Sequence, residues 1–445
     1  MPGVRDLLPL AAAHPGRYPA FLESASTGPQ ARWDILFAFP RDAFALGADG
    51  RVRDARGGTR GGDFLAALDA AWQAERTAPA AGDLGLPFTG GWVVYLGYAL
   101  AGALEPRLAL TPAAPSPMPA AMALRCPAAI LVDHRERRTW LVAEAGCVEL
   151  LDRLRADLDA EVAPVPVLTP PQAFAEEPAG VFLRGVARIH EYLRRGDTFQ
   201  VNLSRAWRAR YREAPAPVAV YAALRRANPA PFAGLLQRPG WALASSSPER
   251  LLEIRGGVAQ TRPIAGTRPR VAGDDDAARI RELVASPKER AEHVMLVDLE
   301  RNDLGRVCVP GSVVVDEWMA VESYAHVHHM VSNVRGVLRA DVSPGRALAA
   351  VFPGGTITGC PKVRCMEIIE ELEAAPRGAY TGALGYLDRN GNGDFSILIR
   401  TLQVEGAVVS LRAGAGIVVD SDARAELAET RAKARGMLRA LGMAG

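Results

Sequence analysis

Long apolar runs are missing from this sequence. Its opening, MPGVRDLLPLAAAHPGRYPA, is broken repeatedly by proline and charge. No stretch approaches the roughly 18 consecutive apolar residues of a membrane-spanning helix. The opening also lacks the order of a secretory signal, so the expectation is a cytoplasmic protein without membrane association. Cysteine is scarce too: Cys126, Cys147, Cys308, Cys360 and Cys365 form an odd set with no CxxC pair. That argues against a disulfide framework or a zinc knuckle and fits a reducing compartment. Cys360 and Cys365 read as small residues at the packed start of a helix. Neither charge is in real excess, with 52 Lys plus Arg against 50 Asp plus Glu. A concentrated basic patch for nucleic acid or anionic lipid is therefore not expected.

What is present is material for a core: 49% of the 445 residues are hydrophobic. That length implies two or three domains or one large two-layered unit. The Pro- and Ala-rich run AEVAPVPVLTPPQAFAEEPAG reads as a linker over 161–180, between an N-terminal region 1–160 and a C-terminal region 181–445. A second Pro-rich run from Leu110 reads as a surface loop. Strand-like runs recur, among them GGWVVYLGY, QVNLSRAWRARY, HHMVSNVRGVL, SILIRTLQVEG and VVSLRAGAGIVV, joined by Gly-containing turns such as RNGNGD. Helical runs stand apart, including RIRELVASPKERAEHVMLVDLERNDLGR and ELAETRAKARGMLRALG. Clustered strands with segregated helices indicate an α+β fold built on antiparallel pairing.

Four features could carry chemistry. Glu289 with Glu292, and Glu426 with Glu429, stand three apart, so each couple shares one helix face. Two such faces converging would suit Mg²⁺, although solvated helix faces show the same spacing, as do Glu367 and Glu370. The turns FPGGTITGCPK and RAGAGIVVDS let backbone N–H groups approach an anion, or are ordinary turns. Glu249 heads a strand in SSSPERLLEI, where a raised pKa would make it a general acid and solvent exposure would make it nothing. In AHVHHMVS, His326 and His328 share a strand face and His329 takes the other, so a three-histidine zinc site is not expected.

In this order, GDTFQVNLS, NPAPF, SSSPERLLEI, RPIAGTRPR, SPKERAEHVMLVDLERNDLGR, HHMVS, FPGGTITGCPKVRCMEII, SILIRTL and AGAGIVVDSDARAELAETRAKA resemble the chorismate-binding enzymes over roughly 180–440. That family includes anthranilate, aminodeoxychorismate, isochorismate and salicylate synthases. The resemblance implies the anthranilate-synthase-component-I-like fold, with antiparallel sheets packed as a sandwich among helices. It implies Mg²⁺ held by Glu292 and Glu429, with Glu289 and Glu426 supporting through water. Arg400, Lys433, the N–H groups of Gly414 and Gly416, and Thr267 would bind chorismate. Glu249 would protonate the departing C4 hydroxyl, with Thr356 and His329 beside the ring.

Water-adding members resemble one another in carrying Lys where this chain has Gln200. A neutral amide has no base form to activate water, so ammonia is the expected nucleophile. Two kinds of ammonia user remain. Ala265 in RPIAGT resembles anthranilate synthases, since many aminodeoxychorismate synthases carry Lys there. The short N-terminal region, RWDI, VHHMVS and FPGGTITGCPK resemble the aminodeoxychorismate side, which is the reading preferred. A non-catalytic chorismate-binding homologue is the alternative of another class. No Cys–His–Glu set of a glutaminase is evident, so a separate glutamine amidotransferase subunit would supply ammonia. LESAS (Leu22 to Ser26) and NPAPF (Asn228 to Phe232) resemble a tryptophan pocket.

Overall fold

The computed structural model of the protein describes residues 1–445 other than 2, 27, 29, 79–83, 111–115, 271–274, 325–326 and 444–445. His326 and residues 111–115 of the loop expected from Leu110 lie outside the described residues.

Strand alternation decides where each sheet meets its neighbours. In Gln200–Arg210 the first six residues are buried on both faces, and only beyond them does burial alternate with exposure. The buried half runs inside a sheet, and the alternating half has one face toward solvent. Two antiparallel sheets result, each of 11 strands. The first runs from Gly359–Cys360 through Gln200–Arg210, Val408–Ile417, Thr401–Glu405, Trp241–Ser247 and Phe232–Arg238. It continues through Ala20–Glu23, Trp33–Ala38 and Ala128–Asp133 to Arg138–Ala143. The second runs from Ile264–Pro269 through Val327–Val337, Val258–Thr261, Arg250–Arg255 and Gly393–Ile397. It continues through Ala383–Asp388, Gly91–Leu96, Ala121–Cys126 and Asp42–Leu46 to Val52–Asp54.

The sheets face one another across a core of Phe37, Tyr95, Leu124, Leu131, Leu243 and Leu384. Phe37 meets Phe88 edge-on at 4.9 Å between ring centroids, a geometry worth about 1 kcal/mol beyond area burial. Helices cover the outer faces. The α+β sandwich is thus the architecture expected.

Each sheet takes strands from both sides of the 161–180 segment: Ala20–Glu23 pairs with Phe232–Arg238, and Gly91–Leu96 with Ala383–Asp388. Within that segment Ala173–Glu176 pairs with Gln200–Arg210, and a helix starts at Ala179. Regions 1–160 and 181–445 therefore share their cores.

Two runs read as single elements are each broken. SILIRTLQVEG forms Gly393–Ile397 in the second sheet and Thr401–Glu405 in the first. Arg400 turns the chain between them at φ 52°, a left-handed conformation that costs a non-glycine residue on the order of 1 kcal/mol. The long helical run is split into Asp276–Ala285 and Pro287–Gly305 because Ser286 leaves helical geometry and caps the second helix. Its hydroxyl accepts from the Glu289 N–H, and Pro287 at the first helical position needs no donor.

Candidate functional site

The chain crosses between sheets twice at one place. Trp241–Ser247 leads through Glu249 into Arg250–Arg255, and Gly393–Ile397 leads through Arg400 into Thr401–Glu405. The crossings are tied side by side: Ile397 N donates to the Glu249 carbonyl at 3.0 Å, and Ser246 N to the Arg400 carbonyl at 3.1 Å. Glu249 and Arg400 are thereby neighbours although 151 positions separate them in the chain.

The Glu249 side chain is only 6% exposed. Burial pushes its carboxyl up to about 7, against the pull of the Thr356 hydroxyl, the Ile264 N–H, Lys433 and Arg400. Thr356 leans toward this carboxyl, yet its buried hydroxyl completes no well-shaped hydrogen bond with the protein. Burial draws the Arg400 guanidinium below its ordinary value, with Glu249 opposing. Thr267 pairs with His329 across adjacent strands, and its Oγ1 lies 2.9 Å from His329 Nδ1. Burial, then Arg400 and His328, pull the His329 imidazole down to about 3, so the ring is neutral at ordinary pH. His328 is spent otherwise, with Nδ1 2.7 Å from Ser323 Oγ and Nε2 3.2 Å from Asp276 Oδ1.

Beside this group two glycines floor a trough, and neighbouring side chains close onto them. In the pairing of Gln200–Arg210 with Val408–Ile417, Asn202 opposes Gly416 and Ser204 opposes Gly414. A methyl group on Gly416 would meet Gln200 Nε2 at 2.0 Å, and one on Gly414 would meet Asn202 Oδ1 at 2.6 Å and Tyr380 OH at 2.7 Å. Gln200 Oε1 and Asn202 Oδ1 are buried here without a protein partner. Orphaned acceptors of this kind are rare in folded proteins and mark a place for a ligand's donors or water. Gln200 Nε2 donates to Glu292 Oε1 at 3.0 Å.

Glu292 belongs to the first turns of Pro287–Gly305, and Glu426 and Glu429 to the first turns of Ala423–Ala440, which Asp422 caps. Side chains of the two helices act on one another, Glu292 on Glu429 and Lys288 on Glu426. Burial holds the Glu292 carboxyl above its ordinary value, opposed by Gln200 and Lys433 and reinforced by Glu289 and Glu429. Burial likewise raises Glu426, which accepts from Ser421 Oγ at 2.7 Å and feels both Glu429 and Lys288. Glu289 pairs with Arg268 at 3.0 Å. Lys433 Nζ spans Glu429 Oε1 at 2.7 Å and the Gly414 carbonyl at 3.1 Å, joining its own acidic helix to the trough.

Contacts link several of the residues singled out from the sequence: Gln200 bonds Glu292, Thr267 meets His329, and Lys433 joins Glu429 to Gly414. Asn202, Tyr380 and Lys288 were missed. Asn202 had a legible signal, since it alternates with Gln200 on one strand face; Tyr380 and Lys288 had none. Among the described residues no group of three or more His, Cys, Asp or Glu side chains forms a preformed metal cage. The crowding of like charges at Glu292 is nevertheless what a hard cation relieves, and carboxylate oxygens on one side leave the rest of its shell to water and ligand.

A second cavity of about 700 Å³ lies between the sheets, lined by Leu22, Glu23, Ser24, Pro231 and Phe232 from the two motifs read as a tryptophan pocket, and by Arg250. No helix among the described residues is long and apolar enough to cross a membrane.

The chain matches the family model described as chorismate binding enzyme over residues 19–439. It is 43% identical over 363 residues to an anthranilate synthase component I-like protein of Synechocystis sp., covering 80% of this chain and 73% of that protein. It is 44% identical over 324 residues to aminodeoxychorismate synthase component 1 of Bacillus subtilis, covering 69% of this chain and 68% of that protein. The crystal structure of anthranilate synthase component I from Streptococcus pneumoniae superposes with a TM-score of 0.81 at 30% identity, covering 92% of this chain and 93% of that one. The chain belongs to the chorismate-binding enzyme family, as a chorismate-utilising enzyme of the anthranilate and aminodeoxychorismate synthase type.

Proposed function

We propose that this protein aminates chorismate at C4 to 4-amino-4-deoxychorismate, a precursor of p-aminobenzoate and folate, in the manner of the Bacillus subtilis relative. The observation that carries the choice of ammonia is Gln200. It is a neutral amide bonded to Glu292 at 3.0 Å, so nothing at that position can take a proton from water. Ala265 is buried at 4% exposure and offers no nucleophile. No lysine stands at that position, and in the proposed route ammonia attacks the ring directly.

Chorismate lies in the trough, its carboxylates held by Arg400, Lys433 and the N–H groups of Gly414 and Gly416. Glu292 and Glu429 would hold Mg²⁺, with Glu289 and Glu426 behind them, and the bound metal would supply charge neutralisation for a substrate carboxylate. Glu249 is the general acid. Its raised pKa keeps it protonated near neutrality, and it delivers that proton to the C4 oxygen, which otherwise departs as hydroxide. Thr356 and the neutral His329, oriented by Thr267, position the ring. A glutamine amidotransferase subunit in the cytosol supplies the ammonia, consistent with relatives named as components, and the 700 Å³ cavity takes tryptophan.

Ala265 favours one rival, attack at C2 followed by loss of pyruvate to give anthranilate. Incubation with chorismate, Mg²⁺ and ammonium separates the two. The expected product yields p-aminobenzoate only after a lyase is added. Anthranilate fluorescence with pyruvate release and no lyase overturns the C4 assignment. Binding of chorismate without turnover overturns both enzymatic readings.

A further inference from the structure

A file of buried protonatable groups runs from behind Glu249, through the helix Pro287–Gly305, to the opposite surface. The turn Gly355–Ile357 carries Thr356 and packs on this helix so closely that a methyl on Gly355 would meet Leu299 Cδ2 at 2.2 Å. The next residue, Glu300, is 5% exposed and shares the helix's buried face with Asp303 one turn on. Asp303 Oδ2 accepts from Lys362 Nζ at 2.5 Å, and Lys362 also reaches the Val351 carbonyl at 3.4 Å. Asp303 and Lys362, with Asn302 and Arg306, line an open cleft of about 800 Å³ on the far side of the helix.

Glu300 has no ion-pair partner of its own among the described residues. The groups that face it are the carboxyls of Glu249 and Asp303, the ammonium of Lys362, and Thr261 on Val258–Thr261, whose hydroxyl is itself buried without a well-shaped hydrogen bond. Burial first, then Asp303, push its carboxyl up to about 8, so it carries a proton at neutrality. Burial also raises Asp303, against Lys362 and Arg306. A buried acid without an ion pair of its own is costly, and apolar residues would hold the helix as well.

We propose that Lys362, Asp303 and Glu300 form a proton relay that returns a proton from solvent in the outer cleft to Glu249 after each turnover. The inference rests on the reading of Glu249 as general acid. In that step the C4–O bond breaks and the oxygen leaves as water with the proton of Glu249. The C–N bond forms and nitrogen keeps its three hydrogens as an ammonium. One solvent proton must therefore reach Glu249 per cycle, although its side chain is only 6% exposed. Glu300 passes its proton to the Glu249 carboxylate and is refilled across Asp303 and Lys362.

Rapid-quench kinetics of the whole enzyme with chorismate, Mg²⁺ and ammonium test the relay. For Glu300→Gln the first turnover keeps nearly its wild-type rate. Steady-state turnover falls by at least about tenfold, within the range for loss of one proton-transfer group, and its solvent deuterium isotope effect grows. Lys362→Gln, at the cleft lip, shows the same split, and small acids diffusing into the cleft restore its steady-state rate. Equal losses in the first and later turnovers, or unchanged steady-state turnover in both variants, overturn the relay. Failure of the wild type to turn over chorismate overturns the proposed function instead.

Discussion

Replacing Glu249 by Gln should make the protein more stable in mild alkali while abolishing most of its activity. Burial raises this carboxyl from 4.5 to about 7, and each tenfold change in proton affinity corresponds to about 1.4 kcal/mol. Ionising Glu249 in the folded chain therefore costs about 3 kcal/mol relative to the unfolded chain. Between these pKa values the folded state binds the proton and the unfolded state does not, so stability declines as pH rises from 4.5 to about 7. Above that range the full cost is present. A glutamine cannot ionise and keeps an oxygen for the Ile264 N–H, so it escapes the cost. Urea denaturation of both proteins at pH 5 and pH 8 should show near-equal stability at the lower pH. At the higher pH the variant should gain about 2–3 kcal/mol. Activity should fall about 10²–10⁴-fold, with loss of the alkaline limb near neutrality. A stability difference that does not change with pH would refute the placement of this carboxyl in a desolvated site.

Gly416→Ala forces the Gln200 amide away from its 2.0 Å overlap and breaks the bond to Glu292. The cost should be about 1.5–3 kcal/mol by denaturation, largely relieved in the double variant with Gln200→Ala. Gln200→Lys places a cation beside Glu292, and product analysis should show amination lost; unchanged amination would count against the role given to the amide. The depressed pKa of His329 means that the folded state binds fewer protons than the unfolded one below 6.5, so stability is lost as pH falls from 6.5 toward 3. His329→Asn should flatten that acid-side decline, and NMR should show the wild-type ring neutral at pH 5.

Much of the site could be read from the chain because its chemistry is concentrated in local spacing. Glu289 with Glu292 and Glu426 with Glu429 announce shared helix faces by number alone. Gly414 and Gly416, two apart in a strand, announce one smooth face. What spacing cannot express is convergence. That the two acidic couples meet, Glu292 feeling Glu429, is settled only by packing of distant segments. The break in SILIRTLQVEG was illegible for a related reason. Its apolar pattern satisfies two strands as well as one, and only the second sheet's claim on Gly393–Ile397 opens the chain at Arg400. Nor could composition show that the Pro-rich 161–180 segment joins two regions whose strands share both sheets, since strand pairing is a contact between distant segments.

Residue type and local period by themselves determined the antiparallel α+β class, the acid couples, the glycine trough and the choice of a neutral amide at position 200. Each follows from the geometry of a single helix or strand, or from the chemistry of one side chain. Tertiary structure alone decided that Glu249 is buried enough to hold a proton near neutrality and that His329 is too buried to gain one. It alone set a second file of acids behind the first. Desolvation and charge coupling arise only when segments far apart in the chain exclude water together, and no window of sequence contains that event.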